Sequence, residues 1–167
     1  MKLSMKLNYL ASLIFILQLN LVEAQHDIDH LLNQWHEAAA TANFKTYFSS
    51  FAEGAYFMGT DASERWSVEE FKTFAKPHFK TAPAWEFSPV QRNIEISSDG
   101  NFAWFDEVLS SEHLGVCRGS GVLILENKQW KIKHYVLSLI VPNELAKQVA
   151  QLKTKADKQS LTELLAN

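Results

Sequence analysis

The forty residues from Phe102 to Val141 constrain the fold more than any other stretch. They predict three consecutive antiparallel strands, Phe102–Ser111, Val116–Glu126 and Gln129–Val141, separated by the polar turns Glu112-His113-Leu114-Gly115 and Asn127-Lys128. Each run is apolar overall, yet each carries ionisable residues: Asp106 and Glu107, Arg118, and His134. A buried charge left unpaired costs several kcal/mol, so these groups must pair with one another or line a wet pocket.

The flanking segments supply helices and two further strands. Asp27 can cap a helix to about Ala42, with Ile28, Leu31, Leu32, Trp35, Ala38 and Ala39 on one face. Phe44–Phe51 predicts a second short helix, and Ala55–Met58 a short strand before the polar segment Gly59–Trp66. Ser67-Val68-Glu69-Glu70 is a capping box, with Trp66 and Phe71 placed as a hydrophobic staple, and Pro77 bends or ends the helix that follows. Trp85–Ser98 predicts a long strand with a bulge or sheet edge at Pro89, and Asp99-Gly100 turns the chain into the three-strand block. Pro142-Asn143 ends the last strand; a helix striped by Leu145, Val149, Leu152 and Ala156 follows, and Ser160–Glu163 offers a capping box for a short terminal helix. The order is two helices, strand, helix, four strands, helix. Helices can cover only one face of such a sheet, which gives an α+β fold: a curved antiparallel sheet with helices on one face, forming a cone-shaped pocket.

Composition bounds the function. The 167 residues are 47% hydrophobic and 12% aromatic, which suits one globular domain with a large core. A formal charge of −3 without any dense basic run gives no footprint for nucleic acid. Lys2 and Lys6, the apolar stretch Tyr9–Leu19 and the small residues of Val22-Glu23-Ala24 together predict a signal peptide over residues 1–24, cleaved before Gln25. The expectation is export to the periplasm or the extracellular space, with no stable membrane span after cleavage. Residues 25–142 form the domain and 143–167 a helical extension. Cys117 is the only cysteine, so no internal disulfide is available, and its strand context predicts a packed, inert thiol. The six histidines show no metal-ligand spacing, and no cofactor-binding motif is present.

Order and residues together resemble the SnoaL-like branch of the nuclear transport factor 2-like superfamily. The resemblance rests on Phe57-Met58-Gly59-Thr60-Asp61 with Glu64-Arg65-Trp66, on Ala103–Glu107, on Cys117–Leu123, and on His134–Ser138 followed by Val141-Pro142-Asn143. It implies a curved sheet, a cone-shaped pocket and a dimer through the outer sheet face. It implies no reaction: the superfamily holds ketosteroid isomerases, polyketide cyclases and dehydratases beside many members with no known activity. The isomerase base and oxyanion-hole residues are not carried over to any residue of this chain.

Parity on the last strand groups Trp130, Ile132, His134, Val136 and Ser138, and the lysines at 131 and 133 suggest that this set points inward. The same reading groups Trp104 with Asp106, and Arg118 with Ser120. Whether Asp106 or Glu107 faces in depends on any bulge; Asp106 is taken as the inward one. Asp106 and His134 are then candidate acid–base groups. Arg118, Trp104, Ser138, Arg92 and Arg65 are candidate ligand contacts for a small apolar or amphipathic molecule. The alternative is a satisfied polar core in which Asp106, Arg118 and His134 bind one another, Arg92 pairs with an acidic neighbour, and Asp61, Glu64 and Arg65 tie their own loop. Tyr135, Leu137 and Leu139 are expected on the outer face, against a second copy. A cofactor-free acid–base enzyme and a non-catalytic binding or interaction module both fit.

Overall fold

The structure, a computed structural model, describes the backbone of residues 2–166 and the side chains of residues 21–166. The Lys2/Lys6 and Tyr9–Leu19 pattern therefore lies outside the described side chains. The elements are α1 (Lys2–Ala40), α2 (Phe44–Ser49), β1 (Phe51–Met58), β2 (Arg65–Ser67), α3 (Val68–Ala75), β3 (Ser88–Ile96), β4 (Phe102–Ser111), β5 (Gly115–Glu126), β6 (Gln129–Leu139) and α4 (Ala146–Leu165). Single 3-10 turns at His78–Lys80 and Asn143–Leu145 join them. No helix of the described residues is long and apolar enough to cross a membrane.

The six strands form one open, curved sheet in the order β2-β1-β6-β5-β4-β3. The fold is the expected α+β, with one refinement: β1 lies parallel to β6, so the sheet is mixed rather than wholly antiparallel. The meander holds almost to the residue. Asn127 and Lys128 close β5 onto β6 with φ of 50° and 63°, the left-handed pair that a two-residue hairpin requires. Pro89 marks both features expected of it, since the register shifts between Pro89 and Gln91 and β3 is an edge strand.

Helix ends follow the local chemistry where the chain offers a real start. The Ser67 side chain accepts from the Glu70 amide while Glu70 reaches back to Ser67, so α3 begins at the expected capping box. Trp66 stacks on Phe71 with centroids 5.6 Å apart, completing the staple. Asn43 caps α2 by accepting from the Thr46 amide at 3.1 Å. Two expected starts are not used. Asp27 lies inside α1, which runs through it unbroken, and Ser160 lies inside α4. At Ser160 the capping partner is engaged elsewhere, because Gln159 Nε2 donates to Glu163 Oε1 at 2.9 Å along the helix surface.

The core lies between the sheet and α1–α3. Ile28, Leu32, Trp35, Ala38 and Ala39 of α1 are buried, as their spacing predicts. Aromatic rings fill the space beneath them. Trp35 stacks on Tyr47 at 5.1 Å, Tyr47 meets Phe79 at 5.2 Å, and Phe57 stacks on Phe71 at 4.0 Å. Each such ring buries roughly 150–250 Å². The cone is therefore largely filled. α4 carries no buried residue.

Candidate functional site

Side-chain direction on β6 decides the site, and a bulge sets it. Val122 pairs with His134, but the next residue of β5, Leu123, pairs with Ile132, so Lys133 is an extra residue in β6. Beyond it the parity inverts. Trp130 and Ile132 face the helices, and so do Tyr135 and Leu137, whereas His134, Val136 and Ser138 face away. The neighbouring strand β1 bulges at the same level, between Phe51 and Tyr56, with Gly54 at φ 62°. Lys133 Nζ donates to the Glu53 carbonyl there at 2.6 Å, which ties the two irregularities together.

The expected inward constellation is thus corrected. On β4 the buried residues are Ala103, Phe105, Glu107 and Leu109, so Glu107 and not Asp106 points to the helix side. Cys117, Gly119 and Leu123 take that face on β5, and burial pushes the Cys117 thiol pKa up, as an inert thiol requires. Trp104, Asp106, Arg118, His134 and Ser138 share the outer face, linked by the register Trp104↔Val122↔His134 and Val108↔Arg118↔Ser138. Arg65 lies at the edge of the same sheet with its guanidinium 4.0 Å over the Tyr56 ring. Sequence parity therefore put these residues on the wrong side, and on β6 it wrongly joined Trp130 and Ile132 to His134, Val136 and Ser138. The expectation that Tyr135 and Leu137 lie outside is corrected with it: both are buried, and Leu139 shares their face, half-exposed at its end.

On the helix side one polar network spans three strands and α1. Glu107 is fully buried. Its Oε1 accepts from His36 Nε2 at 2.9 Å and from the Tyr135 hydroxyl at 3.0 Å, and its Oε2 accepts from Arg92 Nε at 2.9 Å. Arg92 Nη2 stands 2.8 Å from the same Oε2, close enough to attract but not aligned to donate, so the pair is an ion pair with one true hydrogen bond. Arg92 Nη1 continues to Asp29 Oδ1 at 2.5 Å and to Asn33 Oδ1 at 2.9 Å. Of the candidate ligand contacts only Arg92 faces inward, and it holds acidic neighbours. Burial alone would raise the Glu107 pKa; the His36 hydrogen bond and charge, with the Arg92 charge and hydrogen bond, outweigh it and hold the carboxyl below its ordinary range. Burial, then the Glu107 charge and hydrogen bond, push the Tyr135 hydroxyl well above its usual value, so it stays a neutral donor.

Backbone space is reserved for this network. A side chain on Gly119 would collide with the Tyr135 hydroxyl and would lie 2.8 Å from Glu107 Oε1. Asp29, Asn33 and His36 recur at i, i+4 and i+7 on α1, the spacing of one helix face. That spacing, and a glycine inside a strand, were the available signals for the residues the sequence reading missed.

The open part of the cone is elsewhere. A hollow of ≈ 220 Å³ lies between β1, β2, α3 and the segment before β3, and six of its eleven lining residues are aromatic: Phe57, Trp66, Phe71, Phe74, Trp85 and Phe87. Thr60 and Glu64 supply its polar rim, from the loop that closes on itself as Gly59 N donates to Glu64 O at 2.9 Å. Trp85 thus serves both core and pocket wall. A larger groove, ≈ 400 Å³, lies outside the cone between α1, α2 and the β5–β6 turn, lined mainly by polar residues such as His30, Gln34 and Lys128. Among the described residues no cluster of His, Cys, Asp and Glu has the arrangement of a metal site.

Comparisons with known proteins agree with this architecture. The structure is similar to an NTF2-like protein of unknown function from Pseudomonas putida, with a TM-score of 0.62 at 14% identity over 74% of this chain and 91% of that one. It is similar to a domain of unknown function with a cystatin-like fold from Nostoc punctiforme, with a TM-score of 0.62 at 15% identity over 86% and 95% of the two chains. A protein of unknown function from Pectobacterium atrosepticum matches with a TM-score of 0.59 at 14% identity, over 71% and 92%. At such identities these likenesses speak for the fold alone. No curated protein matches the chain in sequence. The family model of the SnoaL-like domain matches residues 28–142, which is most of the chain, and the protein belongs to that family within the NTF2-like superfamily.

Proposed function

We propose that this protein is an exported, non-catalytic binding module that holds a small apolar or amphipathic molecule in the aromatic hollow and pairs with a second copy through its outer sheet face. The observation that carries the binding reading is the state of Glu107. A general base must reach a substrate proton, and its pKa must sit near the working pH. Glu107 is fully buried, bonded by three side chains and held as a carboxylate. Asp106 and His134 stand on the opposite face, where none of the hollows described above is lined by them. The aromatic hollow offers apolar walls and a few polar groups at its rim, the usual make-up of a small-molecule site.

Export is supported by the Lys2/Lys6, Tyr9–Leu19 and Val22–Ala24 pattern. Pairing is supported by the outer face itself. Trp104 and Phe102 are about half exposed there, and the side chains of Arg118 and His134 make no hydrogen bond or ion pair among the described residues. A second copy would cover the aromatic surface, and Asp106 and Arg118 on the same face offer it charges of both signs.

Titrating nitrogen-15-labelled protein with benzyl alcohol tests the binding site. Resonances of Trp66 and Trp85 should shift while those of Arg92 and Tyr135 stay still; shifts centred on Arg92 and Tyr135 would contradict the reading. Sedimentation of the Trp104→Ala variant tests the pairing. Losing an interface tryptophan of this kind costs about 2 kcal/mol or more, so the variant should dissociate at concentrations where the parent is dimeric. A parent that is monomeric at micromolar concentration overturns it.

A further inference from the structure

We infer that the aromatic hollow takes the alkylated ammonium head of a small organic cation, with Glu64 as its counter-charge. This rests on the hollow being a binding site and names the chemistry it selects. The walls and the rim ask for different things. Trp66, Phe74, Trp85 and Phe87 present aromatic surface, which suits any apolar group. Glu64 adds a carboxylate at the same opening, and among the described residues it has no cationic partner. The neighbouring Arg65 does not neutralise it, because that guanidinium lies over Tyr56 at the other side of the sheet edge.

The Glu64 carboxylate is also held in place. Its Oε2 accepts from the Asp61 amide at 3.1 Å, and it occupies the space that a side chain at position 59 would fill. Asp61 adds a second negative charge to the loop, kept ionised by the Ser63 hydroxyl and amide that bond to it. An anionic ligand would be repelled here. A neutral one would cover an uncompensated carboxylate, which costs free energy as water leaves it. A bare primary ammonium is strongly hydrated and resists apolar walls. An alkylated ammonium is weakly hydrated, is attracted to aromatic surface and carries the charge Glu64 lacks. A head group of that kind fits a hollow of ≈ 220 Å³.

The test uses two compounds that differ in one atom of the head group: choline, and 3,3-dimethyl-1-butanol, in which carbon replaces the charged nitrogen. Binding to the full chain is followed by the Trp66 and Trp85 resonances. Choline should bind about tenfold more tightly, as expected for a cation–aromatic contact plus a counter-ion. Glu64→Gln should weaken choline and strengthen the alcohol, cutting the preference to the part that the aromatic contact alone supplies. Gly59→Ala, which displaces the carboxylate without touching the aromatic wall, should reduce the preference while the amide spectrum stays native. Equal binding of the two compounds, or a preference that Glu64→Gln leaves undiminished, overturns the inference: the first leaves the hollow a plain apolar site, and the second removes Glu64 as the counter-charge. Binding of neither compound removes the site itself, and the inference with it.

Discussion

The two faces of the sheet carry nearly the same kinds of side chain and use them in opposite ways. Toward the helices, Glu107, Arg92, His36 and Tyr135 are buried and bonded to one another, and half-exposed Asp29 ends the chain of contacts at Arg92. On the outer face Asp106 has only the Asn93 amide near it, at 3.3 Å, and Arg118 and His134 stand without partners among the described residues. The difference is one of solvent rather than residue type. A charge under a helix must be paired when the chain folds; a charge on an open face can wait for a second surface. Buried polar groups here fix α1 to the sheet, and exposed ones are left to make contacts.

The largest expected effect comes from breaking the closed network. Arg92→Met leaves Glu107 charged and buried with only His36 and Tyr135, and should cost about 3–5 kcal/mol in urea unfolding. The double variant Arg92→Met/Glu107→Leu should regain part of that loss, since the buried carboxylate is gone, but not all of it, because His36 and the Tyr135 hydroxyl lose their acceptor. A single-variant loss below about 1 kcal/mol would show that water reaches the carboxylate. Gly119→Ala follows, at roughly 1–3 kcal/mol, because the added methyl group must displace the Tyr135 hydroxyl or Glu107. A melting temperature equal to that of the parent would mean that the network can shift sideways.

Acid sharpens the contrast further. The folded Glu107 carboxyl has a lowered pKa, so the unfolded chain binds its proton more readily and stability rises with pH through this window. The contribution is complete above the ordinary glutamate value, about 4.3, and is lost as pH falls through the lower folded value. Glu107→Gln should flatten that limb of the stability curve; an unchanged limb would place the proton elsewhere. The smallest effects belong to the outer face. Asp106→Asn and Arg118→Met should each change the monomer's stability by no more than about 0.5 kcal/mol, whereas a loss of several kcal/mol in either would erase the distinction between the faces.

Much of the fold was legible because local chemistry and tertiary structure agree. Ser67 and Glu70 cap α3 as any such box would, Asn127-Lys128 turns the hairpin, and Pro89 breaks the register of an edge strand. What could not be read was the facing of the strands. Period-two reasoning needs one wet face, and here both are apolar: Ala103, Phe105 and Leu109 on one side of β4 oppose Phe102, Trp104 and Val108 on the other. One extra residue at Lys133 then inverted the last strand, and nothing local marks it, since its cause is the partner bulge in β1 around Gly54. The capping signals at Asp27 and Ser160 were genuine in composition but lay within helices whose flanking residues also favour helix. For Arg92 the structure takes the alternative reading, a partner for an acid rather than a ligand contact, because a guanidinium among apolar neighbours has few other ways to be satisfied.

The central claim is that the helix-side carboxylate is structural. Carbon-13 NMR of Glu107, followed through a pH titration of the intact protein, measures this directly. A closed, paired carboxylate should titrate below the ordinary glutamate value of about 4.3, with unfolding accompanying its protonation. A value raised to about 6–7, with the fold intact across the titration, is what a general acid or base would show, and it would contradict the account.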